Sequence, residues 1–473
     1  MHTLAQLRAG QLAGHTRLDL SEGLTEFPPE IFDLADSLEI LNLSGNALSA
    51  LPPDFGRLRK LRVLFCSDNQ FTEVPAVLGQ CPQLSIVGFK ANQIHTLPAG
   101  ALTPALRWLI LTDNRLEALL PELGNCLRLQ KLMLAGNHLT HLPDALANCR
   151  NLELLRLAAN RLEALPAWLP QLPRLAWLAY AGNPFCAQTE VEIEARHPIA
   201  TIDWNDLALE EQLGEGASGV IYRARWRPGP DQPPQAVAVK IFRGTVTSDG
   251  LPHSEIAACI SAGAHPNLIP IAGKVTHHPA GAEGLVMALI DPTFGNLAGP
   301  PSLATCTRDV YTPGTAFGLA AVLRLARGVA SAGAHLHAQG ILHGDLYAHN
   351  ILHAADGTAL LGDFGAACFF DPASPGGPAL QRLEVRAFAC LLEELLAHCN
   401  APATSQVVRA LRELQRRCGQ PKVAARPLFA EVMEALAAAG SSGRQRAVKA
   451  PEQSPEQSPE QSLEQSPGTD SAA

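Results

Sequence analysis

Between residues 214 and 365 the chain sets a glycine-rich turn, a lysine and four carboxylate or amide side chains in a fixed order. The turn is the G-x-G-x-x-G run Gly214-Glu215-Gly216-Ala217-Ser218-Gly219, followed directly by Val220. Its glycines let backbone N–H groups approach phosphate oxygens closely. Lys240 ends the β-branched run Val237-Ala238-Val239 and brings the positive charge that phosphates attract. Glu255, the only carboxylate between Asp249 and His265, is placed to pair with Lys240 and hold it. Farther along, His343-Gly344-Asp345-Leu346-Tyr347-Ala348-His349-Asn350 precedes Asp363-Phe364-Gly365. Asn350 and Asp363 offer oxygen ligands from two directions, as paired divalent metals require. Asp345 then remains free to orient a hydroxyl and accept its proton. A glycine turn alone is weak evidence, whereas the ordered set specifies phosphoryl chemistry.

The elements around these residues follow from pattern. Val237 to Lys240 reads as a strand and Glu255 to Ala262 as a helix. Ile351-Leu352 and Leu360-Leu361 read as the two arms of a hairpin between Asn350 and Asp363. On these motifs residues 207–438 resemble the eukaryotic-like protein kinase superfamily. Trp204-x-Asp206-Leu207 is similar to the tyrosine-kinase-like branch, where leucine-rich repeats often accompany the kinase. The resemblance implies ATP and Mg2+ as cofactors and an α+β bilobal domain. It implies Asp345, Lys240 and Glu255 as catalytic residues and Asn350 and Asp363 as metal ligands. Nucleotide contacts are implied for Leu213, Gly214, Gly216, Gly219, Val220, Ala238, Lys240 and Met287, the last at the hinge gate. Further matches are His265-Pro266-Asn267-Leu268, Glu384-Val385-Arg386-Ala387-Phe388 (with Glu for the usual Asp) and Arg426-Pro427.

The departures bear on substrate. Gly344 replaces the arginine that usually precedes the catalytic Asp, so a phosphorylated activation loop has no partner there. Tyr347 replaces the lysine of serine/threonine kinases, and His349 the arginine of many tyrosine kinases. Only Ala366 to Leu383 separates the D-F-G run from Glu384, with no A-P-E string, which leaves Arg426 without its expected glutamate. The expected activity is transfer of the ATP γ-phosphoryl to a protein serine or threonine. Two alternatives stand: a pseudokinase scaffold, and a small-molecule phosphotransferase, whose family pattern also includes H-G-D-x-x-x-x-N. His343 is expected to brace the loop and Cys368 to pack rather than react. His277-His278 without further ligands reads as a solvated pair.

Residues 1–186 are governed by a repeat. L-x-x-L-x-L-x-x-N recurs with its asparagines at 46, 69, 92, 114, 137, 160 and 183, and Gly23 marks a degenerate first unit. This is the leucine-rich-repeat pattern, with about eight units of 22–23 residues. A unit cannot bury its leucines alone, so neighbours stack into an α/β solenoid with a curved parallel sheet. Cys81, Cys126 and Cys149 precede repeat leucines and read as small buried residues rather than metal ligands. Strand alternation turns Ile40, Val63, Ile86, Trp108, Leu154 and Trp177 to the concave face as an exposed apolar stripe. Such a stripe suits a protein substrate or regulator, or an intramolecular partner.

The expected layout is therefore a leucine-rich-repeat solenoid (1–186), a linker (187–206), a kinase domain (207–438) and a low-complexity tail (439–473). The tail repeats Pro-Glu-Gln-Ser, cannot bury a core and reads as a spacer, with Ser454, Ser458 and Ser466 before prolines. A net charge of −9 argues against a nucleic-acid surface. Residues 1–10 lack the apolar core of a secretion signal, and charged residues break the best membrane-span candidate, Phe317 to Leu342. Eleven irregularly spaced cysteines fit a reducing cytoplasm better than a disulfide framework.

Overall fold

The computed structural model describes residues 2–196, 200–216, 218–229, 231–244, 247 and 249–447. The Pro-Glu-Gln-Ser repeats and their serines lie outside the described residues. A short helix α1 (Leu4–Arg8), closed by a Thr3–Gln6 capping box, precedes the solenoid. The solenoid sheet has eight three-residue parallel strands, β1 to β8. They are Arg17–Asp19, Ile40–Asn42, Val63–Phe65, Ile86–Gly88, Trp108–Ile110, Lys131–Met133, Leu154–Arg156 and Trp177–Ala179. Short 3-10 turns on the convex side return each strand to the next.

The period has a polar cause as well as an apolar one. Asn137 donates to Leu111 O in the preceding unit (2.8 Å) and to Leu134 O in its own (3.0 Å). Its Oδ1 accepts from Leu116 N at 3.0 Å. Asn69, Asn92, Asn114, Asn160 and Asn183 repeat the scheme, so one amide satisfies backbone groups of two units. Each of the residues just before the seven asparagines has a positive φ: Gly45, Asp68, Ala91, Asp113, Gly136, Ala159 and Gly182. Cys81, Cys126 and Cys149 are buried, and their thiols reach carbonyls of neighbouring units.

The segment expected as a linker is structured. Helix α2 (Ala187–Arg196) leads to β9 (Thr201–Asp203), which pairs in parallel with β13 (Ile271–Thr276). A six-stranded sheet results, in the order β10-β11-β12-β14-β13-β9. The other strands are β10 (Leu207–Gly216), β11 (Gly219–Trp226), β12 (Gln235–Phe242) and β14 (Gly284–Ala288). Buried Ile202 anchors β9 in the small core of this sheet, with Trp204 packed against it. Helix α3 (Pro252–Ser261) starts on Pro252 and ends where Gly263 turns to φ +66°.

The C-terminal lobe is helical: α4 (Leu319–Ala338), α5 (Gly377–Ala397), α6 (Gln406–Cys418) and α7 (Phe429–Ala447). Helix α7 runs beyond residue 438, where the tail was expected to start. Helix α5 begins at Gly377, seven residues before Glu384, and so takes up much of the short segment after Asp363-Phe364-Gly365. Among the described residues no helix is long and apolar enough to cross a membrane.

The two halves share a core. Leu342, Ala366, Cys368, Phe370 and Leu383 pack in the same buried cluster as the repeat leucines. In turn Leu154, Ala176 and Trp177 pack with the helical lobe. The expected exposed stripe is accordingly corrected. Val63, Ile86, Leu154 and Trp177 are buried, the last two against the helical lobe, and Ile40 and Trp108 keep only partial exposure.

Replacing Asn137 by Ala leaves the buried Leu116 N–H unpaired, while Leu111 O and Leu134 O keep Asn114 and Asn160 as donors, and is expected to cost about 2 kcal/mol in urea unfolding. Ala91→Gly is expected to gain about 0.5 kcal/mol, since relief of left-handed strain of about 1–2 kcal/mol exceeds the added chain entropy.

Candidate active site

Strand β12 delivers Lys240 and helix α3 delivers Glu255, and both are buried. Their side chains form a direct ion pair. Burial pushes the Glu255 carboxyl up to about 7, against the pull of Lys240. Burial also works to lower the Lys240 ammonium, but Glu255 and Asp363 outweigh it and raise its pKa.

Lys240 and Glu255 line a cleft of about 350 Å³ between the sheet and the helical lobe. Gly214, Gly216, Gly219, Met287, Asn350 and Asp363 share its wall. The other expected nucleotide contacts do not. Leu213 is 48% exposed, while Val220 and Ala238 are buried elsewhere in the sheet. Ile221 takes the place expected of Val220, because alternation along β11 turns residue 221 to the cleft. Ile269, Ile271, Leu285 and Leu352 supply apolar walls that no motif marks. Alternation along the strands signals Ile271 and Leu285, whereas Ile269 lies in the connection before β13.

The residues of the 343–350 loop are fixed by the folded lobe. His343 is fully buried, bonds Gly362 O at 2.9 Å and packs on Phe364, a bracing role. Glu384 of α5 accepts the Gly344 N–H at 2.8 Å and pairs with His337 at 2.7 Å. Asn350 donates to Asp345 O at 2.9 Å and to Asp345 Oδ2 at 2.8 Å, which leaves its amide oxygen as an acceptor. Asp363 sits at φ +54° and accepts from Gly365 N at 3.2 Å. Two oxygen donors facing an open cleft with Lys240 beside them suit magnesium, which usually takes one or two protein oxygens plus phosphates. Among the described residues there is no group of three or more His, Cys, Asp or Glu that could hold a metal ion. His277 meets Asp203 at 2.8 Å.

Asp345 is approached from the other side by the repeats. Arg156, at the end of β7, is 1% exposed and forms an ion pair with the Asp345 carboxylate. The same guanidinium bonds Gly344 O at 3.1 Å and Asp249 Oδ1 at 2.7 Å. Burial works to raise the Asp345 carboxyl, but Arg156, His349 and His343 together hold it below its ordinary range. Trp177 of β8 stacks on Tyr347 with ring centres 4.1 Å apart and planes 7° from parallel. Its indole N–H bonds Leu346 O at 3.1 Å. Tyr180 donates its hydroxyl to Phe369 O at 3.2 Å. His349 lies on the cleft wall and is tied to buried Asp309 at 2.7 Å.

Packing explains two departures noted in the sequence. Gly344 has φ +72°, and an added Cβ would lie 2.3 Å from Ala366 O and 2.8 Å from Leu178 O of the solenoid. An arginine is excluded there by the left-handed backbone, by Ala366 O of the lobe and by Leu178 O of the repeats. Arg426, without a glutamate, donates to the carbonyls of Gln420 (2.8 Å), Arg382 (3.0 Å) and Pro173 (2.8 Å), the last in the solenoid. Cys368 is buried, its thiol is pushed up to about 12 by burial, and it accepts from Tyr180 N, so it packs rather than reacts.

Residues 207–374 match the family model described as protein tyrosine and serine/threonine kinase, and residues 127–185 and 37–58 match two leucine-rich-repeat models. Serine/threonine-protein kinase mos of Xenopus laevis is 27% identical over 207 residues, covering 43% of this chain and 54% of that protein. The megakaryocyte-associated tyrosine-protein kinase of Mus musculus is 25% identical over 285 residues, covering 53% and 52%. The chain thus spans about half the length of these relatives, which include both hydroxyl specificities.

As pH falls through about 7, Glu255 takes up a proton and Lys240 loses its partner. Calorimetric affinity for Mg-ATP is therefore expected to weaken from pH 8 to pH 6. Glu255→Gln is expected to bind weakly throughout, without that acid limb.

Proposed function

We propose that this chain, which carries leucine-rich repeats and a protein-kinase domain, transfers the γ-phosphoryl of ATP to a protein serine or threonine. The observation that carries the reading is the formed Lys240–Glu255 pair facing Asn350 and Asp363 across one open cleft. Nucleotide enters between the glycine turn and Leu352, with Met287 beside the base and Lys240 on the phosphates. Asn350 and Asp363 would hold magnesium, which when bound would neutralise charge on the phosphate oxygens. Asp345, kept ionised by Arg156 and oriented by Asn350, aligns the acceptor hydroxyl and takes its proton. The rate gain rests on positioning and charge neutralisation in a confined site.

A substrate or regulator is recruited, on this reading, by the part of the concave face that keeps exposure at Ile40 and Trp108. A reducing cytoplasm is the compartment that suits the eleven free cysteines, ten of them buried.

One observation favours a second reading, a nucleotide-binding scaffold. Asp345 is not on the cleft wall, and its side chain is only 16% exposed beneath the solenoid. Incubating the full chain and its Asp345→Asn variant with Mg-ATP, then mapping phosphorylated residues by mass spectrometry, separates the two. Phosphoserine or phosphothreonine in the wild type alone is the expected result. Asp345→Asn is expected to retain ATP binding, and Lys240→Met to lose transfer by about a hundredfold or more, as displaced phosphates would imply. Equal, background labelling of wild type and variant would favour the scaffold.

A further inference from the structure

The catalytic loop has no cation of its own at Gly344 or Tyr347, yet the backbone of Gly344 and the carboxylate of Asp345 both meet a guanidinium. That guanidinium is Arg156, nearly 190 residues earlier in the chain. It does not end at the loop. Its Nε bonds Asp249, which lies three residues before Pro252 opens α3, the helix that carries Glu255. One buried side chain thus joins the loop bearing the base to the approach of the helix that holds Lys240.

The surrounding packing is built for this bridge. An added Cβ at Gly250 would lie 2.6 Å from Gly365 O and 3.8 Å from the Ala158 side chain. One at Gly182 would lie 2.4 Å from Leu251. Backbone from the repeats, from the approach to α3 and from the Asp363-Phe364-Gly365 run therefore meets at van der Waals distance around Arg156. Trp177 clamps the loop again two residues past Asp345.

We propose that Arg156 is a positioning residue for phosphoryl transfer, supplying from the repeat domain the cation that the catalytic loop lacks and fixing Asp345 against the approach to α3. The proposal rests on the kinase reading given above. In this chain the active arrangement of loop and helix is held by a permanent internal ion cluster, so no phosphate on the short segment after Gly365 is needed to assemble it. The shared apolar core supports permanence, since separating the halves would expose Leu342, Cys368, Phe370 and Leu383 together with Trp177.

The test uses the full chain with casein as acceptor and compares wild type with Arg156→Lys, Arg156→Ala and Asp249→Asn. Asp249→Asn removes the counter-charge from the link toward α3 and leaves the Arg156–Asp345 pair, so it remains informative if Arg156→Ala fails to fold. Expected are a fall in kcat of about tenfold or more for Asp249→Asn and Arg156→Ala, with KM for ATP unchanged, and partial recovery in Arg156→Lys. Rates at or above wild type in Asp249→Asn and Arg156→Lys would overturn the proposal, and a rise would make the contact a brake. Hydrogen exchange at amides 343–350, measured with Mg-ATP bound, keeps the two readings apart. If wild type transfers nothing, faster loop exchange in the variants sinks the kinase reading but supports the clamp. Unchanged exchange then sinks the clamp.

Discussion

A guanidinium with 1% exposure has no water to solvate it, so folded protein must supply both its counter-charge and its hydrogen-bond acceptors. Arg156 finds them in Asp249, Asp345 and the Gly344 carbonyl, all contributed by the other domain. The need runs in both directions. Burial raises the Asp249 carboxyl even with Arg156 beside it, so without that partner the charge there would be harder still to keep. Neither surface is complete alone, and this mutual requirement sets how the solenoid sits on the kinase domain. Once it sits there, Gly344 must be a glycine, Trp177 must meet Tyr347, and Arg426 can satisfy one donor on Pro173.

Much of this was legible from the chain alone. The asparagine period announced the stack because each amide serves two units and so must recur at one interval. The residues of the cleft were legible for a similar reason: Lys240, Glu255, Asn350 and Asp363 lie at spacings fixed by one strand, one helix and one hairpin. Local errors came from strand phase. Val220 and Ile221 are both apolar and β-branched, and the register of β11 decides which faces the cleft.

What stayed hidden was everything that depends on distant pairing. Arg156 occupies a repeat position that reads as one polar residue on a concave face, and nothing nearby in sequence points to Asp345. The span 187–206 reads as a polar linker, yet Ile202 makes it an edge strand because β13 offers an unpaired edge beside a small apolar core. The concave stripe read as exposed because composition carries no information on what covers it. The missing activation-segment features read as losses, whereas α5 and the last repeats occupy that side of the lobe.

The shared core also bears on how such a protein can be inherited. A stack of repeats is commonly thought modular, open to gaining or losing units or to being grafted onto a new effector. Here the final unit carries Trp177 and Tyr180, both buried by contacts with the helical lobe. The lobe thereby acts as the terminal cap of the stack, and the stack as the floor of the lobe. Units far from that junction remain free to be exchanged, while those carrying Arg156 and Trp177 are bound to one kinase domain and must change together with it.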